Sequence, residues 1–453
     1  MKILMTVWQQ SIRKINPPHL LAVSFFLLIL IGSWLLYLPV SCRGQILYID
    51  ALFISTSATC VTGLSSIDIG SSFTAFGQAV LLLLIQVGGL GFMTLSTFFV
   101  YILAGRFSIK GRDMIEQSVS SQPLPYLGQL LVFTVVGTAL FELLGGIILT
   151  WRFMGSFPLA KSVFLGFFHS ISAFCNAGFS PLSDNLMSFR HDVIVNVTVM
   201  VLIVLGGLGF WVIYDLHNLS GGFRRLTLHS KIVLTTTFFL IASGAALISL
   251  FDWNRILAGE SYLYRLLAAS FQSISARTAG YNTLEIGAMS HGSLLVLMLL
   301  MAIGASPGSC GGGVKTSTFT ILLATVFSRL HSQRQLRLFG RGISEEVISK
   351  AMGIVFFWLL AVISAVMVLL MSEADIAPPF RETLLVQAFF ESLSAIGTVG
   401  LSMGITPYLS TLGKAALIIL MYVGRIGPIT LAVLIARNRN VTFRYAEEKV
   451  IVG

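Results

Sequence analysis

Residues Ser55–Leu64 read STSATCVTGL, and this pattern occurs four times in a chain of 453 residues. Each copy contains a Ser-x-Ser-Ala run, followed by a small or polar residue, a small residue, a glycine and a large apolar residue. Each copy also lies between two long apolar stretches. Four such copies predict four related units in one chain. The repeated glycines, which are 115, 102 and 120 residues apart, are Gly63, Gly178, Gly280 and Gly400.

The composition indicates that these units lie in a membrane. Hydrophobic residues make up 55% of the chain and charged residues only 11%, against about 25% charged in soluble proteins. Mean hydropathy is +0.88, and apolar runs of about 20 residues, the length of a spanning helix, recur along the chain. We therefore expect an all-α polytopic membrane protein. The first apolar run lacks a small-x-small cleavage site and is expected to be a retained span.

The charge pattern predicts the orientation of the chain in the membrane. The net charge is +10, but basic residues are concentrated in alternate connections, and acidic residues offset them in the others. By the positive-inside rule, this pattern predicts a multi-pass protein with both termini in the cytoplasm. It also argues against nucleic acid as a partner. The basic connections contain Arg106, Lys110, Arg112, Arg224, Arg225, Lys231, Arg329, Arg334, Arg337, Arg341 and Lys350.

The four units are predicted at 17–104, 128–219, 230–329 and 347–437, followed by a cytoplasmic tail at 438–453. Each unit should contain a first span, a half-helix, the glycine loop and a second span. The first spans are predicted at 19–40, 128–150, 230–251 and 347–371, and the half-helices at 46–59, 160–174, 262–275 and 380–395. The half-helices are too short to cross about 30 Å of hydrocarbon. The expected fold has eight spanning helices and four re-entrant half-helices around one pseudo-fourfold pore.

A second motif supports this alignment, because a glycine recurs 24–28 residues after each loop glycine. Small residues also let membrane helices pack closely whatever their function, so this motif alone does not indicate a pore. The glycine loops are more informative, since loops at membrane depth are tolerated only against protein or a water-filled cavity. The second-span pairs are Gly88 and Gly89, Gly206 and Gly207, Gly304 and Ala305, and Gly424 and Arg425.

The glycine loops predict an ion filter. Glycine reaches positive φ without steric cost, so four loops can direct backbone carbonyls toward one axis, where they replace the hydration shell of potassium. The fourth loop repeats three letters of the TVGYG potassium filter, and the other loops match it loosely. The predicted potassium-binding residues are Val61, Thr62, Gly63, Asn176, Ala177, Gly178, Thr278, Ala279, Gly280, Thr398, Val399 and Gly400.

Four polar residues near the loops are assigned less firmly by the sequence. The Asn176 amide either hydrogen-bonds inside the filter wall or faces the outer vestibule. Arg277, beside the third loop, is expected to bind a carboxylate behind the filter, but the sequence does not identify which one. Glu142 and Glu391 are expected to be partners for arginines or backbone groups rather than ion sites.

The second span of unit 3 is predicted to be broken at 304–318. Five glycines and Pro307 fall where a helix would cross the bilayer, and glycine costs about 1 kcal/mol and proline about 3 kcal/mol in a helix interior. We expect an unwound gate beneath the filter; a structural kink is the alternative, and the spacing does not match a phosphate-binding loop. The candidate gate residues are Gly304, Gly308, Gly311, Gly312, Gly313, Lys315 and Thr316.

Arg425 lies within the second span of unit 4, where a charge is costly and usually functional. The alignment puts it at the position of Gly89, Gly207 and Ala305, which predicts that it faces the pore. A guanidinium there would oppose cation flow below the filter. The alternative is a buried salt bridge.

These motifs resemble the Trk/Ktr/HKT superfamily of potassium transporters, from about Pro17 to the C-terminus. Because the first unit begins so early in the chain, it is similar to Ktr-type pore subunits. The resemblance implies a homodimer with one pore per protomer, a cytosolic nucleotide-binding regulatory ring and, often, sodium dependence. It also implies that the broken segment is an intramembrane gate loop and that Arg425 is a barrier. No cofactor is expected in this chain, and nucleotide is expected on the partner only.

The expected function is that of a potassium-translocating pore subunit in the bacterial plasma (inner) membrane, which passes ions down their electrochemical gradient. Glycine in all four loops favours potassium, since members of the resembled superfamily that prefer sodium tend to have serine in the first loop. The same fold passing sodium or several monovalent cations is the closest alternative. An alternating-access symporter is disfavoured because common transporters have two inverted halves. An enzyme is also disfavoured, because the sequence contains no paired acid, base or metal ligands.

Overall fold

The computed structural model describes residues 17–104, 125–219, 222–333, 335–376 and 380–427. In these ranges the chain is predominantly helical, as expected. A small departure from the all-α prediction is a hairpin of two strands, Arg337–Leu338 and Arg341–Gly342, in the basic connection before unit 4. The basic residues at 106–112, the predicted end of unit 4 after residue 427 and the tail at 438–453 lie outside the described residues.

Each unit begins with a long apolar helix close to its predicted position. These first helices are Pro17–Tyr37, Pro125–Phe153, Leu228–Asp252 and Glu345–Ser372. In the described part of the chain, three helices are long and apolar enough to cross a membrane, and a bent pair would make a fourth. These are Val132–Phe153, Leu228–Asp252 and Glu345–Ser372, with Val193–Leu208 and Phe210–His217 as the bent pair.

A short helix precedes every glycine loop. With 12–16 residues each, these helices are about 18–24 Å long at 1.5 Å per residue. They are therefore shorter than the hydrocarbon core of a bilayer, which is about 30 Å thick. Their inner faces are fully buried by the rest of the chain. The short helices are Tyr48–Thr59, Leu159–Phe174, Tyr262–Ser275 and Leu384–Gly397.

The second helices differ from one another. Unit 1 has one continuous helix, Ala75–Ala104, and unit 4 has Thr411–Ile426. In unit 3 the helix stops at Ala302 and restarts at Thr316, which agrees with the predicted break. In unit 2 the helices Val193–Leu208 and Phe210–His217 meet at an angle of 98°. The sequence analysis did not predict this second interruption.

The bend in unit 2 occurs at Gly209, which has φ +82°. A side chain is strained in this conformation, whereas glycine adopts it freely. A β-carbon there would also lie 2.8 Å from the carbonyl oxygen of Pro307. The Phe210 amide donates to the carbonyl oxygen of Gly308 at 3.2 Å. The helix of unit 2 therefore bends where it contacts the break of unit 3.

In units 1 to 3 the first serine of the Ser-x-Ser motif attaches the short helix to the first helix of its unit, whereas the corresponding hydroxyl of unit 4, that of Ser392, has no hydrogen-bond partner among the described residues. The Ser55 hydroxyl donates to the carbonyl oxygen of Ile29 at 2.7 Å. Units 2 and 3 repeat this bond, from Ser170 to the Glu142 carbonyl and from Ser273 to the Ile241 carbonyl. A glycine of the first helix lies against the serine in each case: Gly32, Gly145 and Gly244. The two helices therefore approach closely because no side chain separates them.

The units pack in cyclic order. One buried cluster joins units 1 and 4 through residues such as Phe53, Trp358 and Leu417. Other clusters join unit 2 to unit 3 and unit 3 to unit 4. Between units 4 and 1, Lys414 Nζ lies 2.7 Å from Asp50 Oδ1, and both side chains are more than nine-tenths buried. The core is thus distributed around a central region in which the glycine loops meet.

Candidate functional site

The four glycine loops form a closed ring. A β-carbon on Gly63 would lie 2.5 Å from the carbonyl oxygen of Ala177, and one on Gly178 would lie 2.5 Å from that of Ala279. The remaining two contacts are at least as close, from Gly280 to the Val399 carbonyl and from Gly400 to the Thr62 carbonyl. Each loop glycine therefore faces the next loop, and the fourth loop returns to the first. The twelve residues predicted for the filter lie together in this ring.

The loops share an unusual backbone conformation. All four glycines have positive φ, between +67° and +97°. The residue two positions earlier also has positive φ in every loop, although it carries a side chain: Val61, Asn176, Thr278 and Thr398, at +57°, +59°, +69° and +48°. Such conformations cost about 1–3 kcal/mol each and persist at sites where the surroundings enforce them. All four loops therefore have the same backbone conformation at these two positions.

The second serine of the motif supports the loop from within. Its carbonyl oxygen accepts the amide of the residue before the loop glycine in all four units, at 2.7–2.9 Å. In units 1 and 4 its hydroxyl also accepts the glycine amide, at 3.0 Å in both. Unit 3 has one residue fewer between this serine, Ser275, and Gly280. There the Ser275 hydroxyl donates to the carbonyl oxygen of Tyr281, the residue after the glycine, and in unit 2 the Ser172 hydroxyl makes the same bond to Phe179 at 3.0 Å.

The structure answers the question that the sequence left open for Asn176. Its side chain is fully buried, and its amide nitrogen lies 3.3 Å from the Thr278 hydroxyl. With the amide turned over, the nitrogen donates to the carbonyl oxygens of Ala173 and Ile203, at 3.1 Å each. In both orientations the amide bonds within the wall of the ring and does not face a vestibule.

Glu391 braces the fourth loop from behind. Its carboxylate accepts hydrogen bonds from the Ser402 and Thr406 hydroxyls at 2.5 and 2.9 Å, and from the Met403 amide at 3.1 Å. The expectation that it binds backbone rather than ions agrees with these contacts. For Glu142 the expected partner was an arginine or a backbone group. The structure shows a side-chain amide instead, because the Gln86 side-chain nitrogen donates to both carboxyl oxygens of Glu142 at 3.1 Å.

The break in unit 3, residues 303–315, lies directly against the ring. A β-carbon on Gly311 or Gly312 would collide with the side chain of Thr278 or Thr398, respectively. The Gly312 amide donates to the Thr398 hydroxyl at 2.9 Å. Two loops of the ring therefore contact the break through residues that also have positive φ. The absence of side chains at both glycines permits this approach.

The break is a compact structure closed by its own hydrogen bonds. The Gly304 amide donates to the Val314 carbonyl at 2.8 Å, and the Thr316 amide to the Ala305 carbonyl at 3.4 Å. Lys315 Nζ donates to the carbonyl oxygen of Gly311 at 2.5 Å. Positive φ at Gly308 and Gly313 produces the turns. Every candidate gate residue in unit 3 thus belongs to this one segment or to the first turn of the helix after it.

The break is also bonded to its neighbour, unit 2. The Ser306 amide and hydroxyl both reach the carbonyl oxygen of Gly207, at 3.1 and 2.7 Å. The Cys310 amide donates to the Gly206 carbonyl at 3.2 Å. The backbone carbonyl oxygens of the second-span glycines of unit 2 therefore accept hydrogen bonds from the break. Sequence reasoning placed these glycines in register but missed their role as partners of the break.

Arg425 bridges the break and unit 1. Its guanidinium donates to the carbonyl oxygens of Cys310 and Gly88, the latter at 2.5 Å, and contacts that of Gly89 at 3.5 Å. The side chain is only 3% exposed. These partners are backbone carbonyls of the break and of unit 1. Lys414, the buried partner of Asp50, was not among the residues predicted from the sequence. A lysine within an apolar span indicates such a buried partner.

The sequence of this chain is similar to those of known transport proteins. The family model TrkH, described as a cation transport protein, matches residues 4–442. The Ktr system potassium uptake protein B of Bacillus subtilis is 37% identical over 97% of both chains. The potassium/sodium uptake protein NtpJ of Enterococcus hirae is 35% identical over 99% of this chain and 100% of that protein.

The fold is also similar to a solved structure. The crystal structure of the potassium transporter TrkH from Vibrio parahaemolyticus superposes with a TM-score of 0.70 at 17% identity. The match covers 92% of this chain and 84% of the other. With the apolar helices, these similarities identify an integral membrane protein. The chain belongs to the TrkH family of cation transport proteins.

Proposed function

We propose that this chain is the potassium-translocating pore subunit of a bacterial potassium uptake system. The observation that carries the proposal is the closed ring of four glycine loops, in which each glycine faces a carbonyl of the next loop. The relatives named as potassium uptake proteins B and NtpJ support the same class of cargo. Potassium moves passively down its electrochemical gradient.

The ring acts as the selectivity filter. Backbone carbonyls around one axis replace the water lost by a monovalent cation, and their number and field distinguish potassium from smaller ions. The shared backbone conformation of the four loops supports equivalent contributions from four sides. The first and second helices with their short helices then form four membrane–pore–membrane units around the pore. This architecture is eight spans with four re-entrant helices.

The break at 303–315 acts as an intramembrane gate. It contacts the ring through Gly311 and Gly312 and contacts unit 1 through Arg425. Glycines and a proline cannot sustain a regular helix, so this segment can change its path without unfolding a span. Arg425 holds it in place and sets a positive charge below the filter, which opposes cation flow until the segment moves.

The gate is controlled from outside this chain. We propose a homodimer in the bacterial plasma membrane with both termini in the cytoplasm, bound by a cytosolic ring of nucleotide-binding subunits. The words "Ktr system" in the names of the relatives support a system of more than one component. The basic connection with the Arg337–Gly342 hairpin is a candidate contact for these cytosolic partner subunits. Nucleotide binds the partner and not this chain.

A second candidate is transport of sodium together with potassium. The observation in its favour is the relative NtpJ, which is named a potassium/sodium uptake protein and is 35% identical over nearly the whole chain. Sodium would then either permeate the same ring or be required for potassium uptake. The four-glycine ring supports potassium as the preferred ion.

The test is potassium uptake by cells that lack their own uptake systems. This chain is expressed alone and with a candidate cytosolic partner, with and without sodium. Uptake that prefers potassium and increases with the partner is expected. Equal uptake of sodium and potassium would favour the second candidate, and absence of flux in every combination, with the protein present in the membrane, would contradict a pore.

A further inference from the structure

Two cysteines meet where the ring contacts the break of unit 3. Cys175 is the C-cap of the short helix of unit 2 and immediately precedes Asn176 of the ring. Cys310 belongs to the break. Both side chains are fully buried, and both cysteines are free thiols. The two thiols are in hydrogen-bond contact with each other. The second loop of the ring and the break therefore share a thiol pair.

Gly206 of unit 2 brings these two cysteines together. Its carbonyl oxygen accepts a hydrogen bond from the Cys310 amide at 3.2 Å. A β-carbon on Gly206 would also collide with the carbonyl oxygen of Phe174, the residue before Cys175. Phe174 and Cys310 belong to the same buried cluster. The backbone at Gly206 thus touches both chain segments, and the lack of a side chain there lets the two thiols approach.

The surroundings of the pair determine which reagent it can meet. Neither cysteine has exposed surface, so the pair is closed to bulky disulfides and to enzymes, and an oxidant close to the size of water is required. Hydrogen peroxide has this size. Cys175 Sγ lies 3.9 Å from Glu142 Oε1, so a carboxyl group is close enough to receive the thiol proton. The thiolate that remains is the nucleophilic form of cysteine.

We infer that Cys175 and Cys310 form a disulfide when the protein meets hydrogen peroxide, and that this bond locks the break to the ring. One thiol attacks an oxygen of the peroxide, the O–O bond breaks, and a sulfenic acid forms while the thiol proton leaves with the hydroxide as water. The second thiol attacks the sulfenic sulfur, the S–O bond breaks, and a second water leaves. The two sulfurs are oxidised, and the peroxide is reduced to water.

The lock acts on the proposed gate, so its effect on flux rests on the proposed function. The carbonyl oxygen of Cys310 accepts a hydrogen bond from Arg425. A covalent bond from the Cys310 side chain to Cys175 holds this carbonyl against unit 2 and keeps the break in the path that it has in this structure. Oxidation should therefore hold the pore closed, and reduction of the disulfide should release it.

The test uses the full chain in proteoliposomes, which is treated with hydrogen peroxide and then alkylated under denaturing conditions. Proteolysis and mass spectrometry should detect a peptide pair linked through Cys175 and Cys310, and the link should disappear on reduction. Potassium flux should fall in proportion to the linked fraction and recover with dithiothreitol. The link is measured without reference to flux, so a wild type that passes no potassium contradicts the proposed pore and leaves the mapping of the link valid.

Two results in the wild type would overturn the inference, and neither requires a variant to fold. The first is the absence of the linked peptides at a peroxide dose that already oxidises the half-buried Cys42. The second is a complete link with unchanged potassium flux, which would mean that the disulfide does not lock the gate.

Matched variants distinguish this pair from general oxidation. Cys175→Ser and Cys310→Ser should each abolish the linked peptides and make the remaining flux insensitive to peroxide. Cys60→Ser is the control, because Cys60 occupies the place of Cys175 in the first loop. The linked peptides and the peroxide response should both persist in this variant. A peroxide effect on flux that persists in Cys175→Ser would assign the effect to another residue and contradict the lock.

Discussion

Arg425 of unit 4 donates a hydrogen bond to the carbonyl oxygen of Cys310 in the break of unit 3. The same guanidinium reaches Gly88 of unit 1, so one side chain connects three of the four units. Residues more than a hundred positions apart are thereby held by a single charged donor. Hydrogen bonds from charged groups are worth about 1.5–3 kcal/mol each.

Removing this connection should open the pore. Arg425→Gln shortens the side chain and removes its charge, and we expect potassium flux from loaded proteoliposomes to increase about tenfold, since about 1.4 kcal/mol changes a population by that factor. Arg152→Gln, which removes an exposed partner of Asp192, is the control and should leave the flux unchanged. A folded Arg425 variant with wild-type flux would show that the arginine only packs.

The glycines of the ring can be tested with a pair matched in backbone conformation. Gly400 and Gly404 have φ of +95° and +93°, but only Gly400 faces another loop, whereas nothing lies within 4 Å of a β-carbon on Gly404. Both serine variants have the same backbone strain. Gly400→Ser should therefore lower the selectivity for potassium over sodium in bi-ionic flux assays, and Gly404→Ser should not. If both variants lost potassium selectivity equally, the loss would be due to backbone strain and not to the position of Gly400 in the ring.

The bond between ring and break can be tested at Thr398. Thr398→Val keeps the size and branching of the side chain but leaves the buried Gly312 amide without its acceptor. An unsatisfied buried donor costs about 1–3 kcal/mol, so the unfolding midpoint should fall and flux regulation should change. Thr62→Val is the control because the Thr62 hydroxyl has no partner among the described residues. A fall of the same size in both variants would argue against this coupling.

The ion pair of Lys414 and Asp50 should matter for stability more than for selectivity. Lys414→Met leaves a buried carboxylate unpaired and should destabilise the fold by about 3–5 kcal/mol. Adding Asp50→Asn should recover most of this loss, as measured by unfolding in detergent. Glu345→Gln, which breaks an exposed pair with Arg329, should cost under about 1 kcal/mol. A double variant no more stable than Lys414→Met would mean that the two groups act independently.

A pH effect is expected at Asp68, in the connection after the first loop. Partial burial raises the pKa of Asp68, but hydrogen bonds from Ser183, Ser71 and Gly70 outweigh it, so the pKa lies below its ordinary value. These bonds therefore stabilise the fold fully above about pH 4, the ordinary pKa of aspartate. Their contribution is lost as the pH falls through the lower pKa of the folded state.

The measurement for Asp68 is the difference in unfolding midpoint between the wild type and Asp68→Asn from pH 6 to pH 3. This difference should shrink as the pH falls. Asp375→Asn, at an exposed aspartate, is the control for the loss of a carboxylate. A difference for Asp68→Asn that is constant with pH would mean that the carboxylate contributes nothing through its charge.

Much of the architecture is local and could be predicted from the residues. Apolar length marks the first helices, and the Ser-x-Ser motif with its glycine marks each short helix and loop. Glycine and proline content also predicts the break between Ala302 and Thr316. These features depend on backbone conformation and on the length of apolar runs, which neighbouring residues specify.

The contacts between units could be identified only from the tertiary structure. The ring order from Gly63 to Ala177 and onward to Thr62, the bend at Gly209 and the carbonyl partners of Arg425 all join residues far apart in sequence. Each depends on how closely four helical units approach, and no local pattern encodes that distance. The expected carboxylate partner of Arg277 shows the same limit: an arginine beside a loop indicates a counter-charge, but none of the ion pairs between described residues involves Arg277.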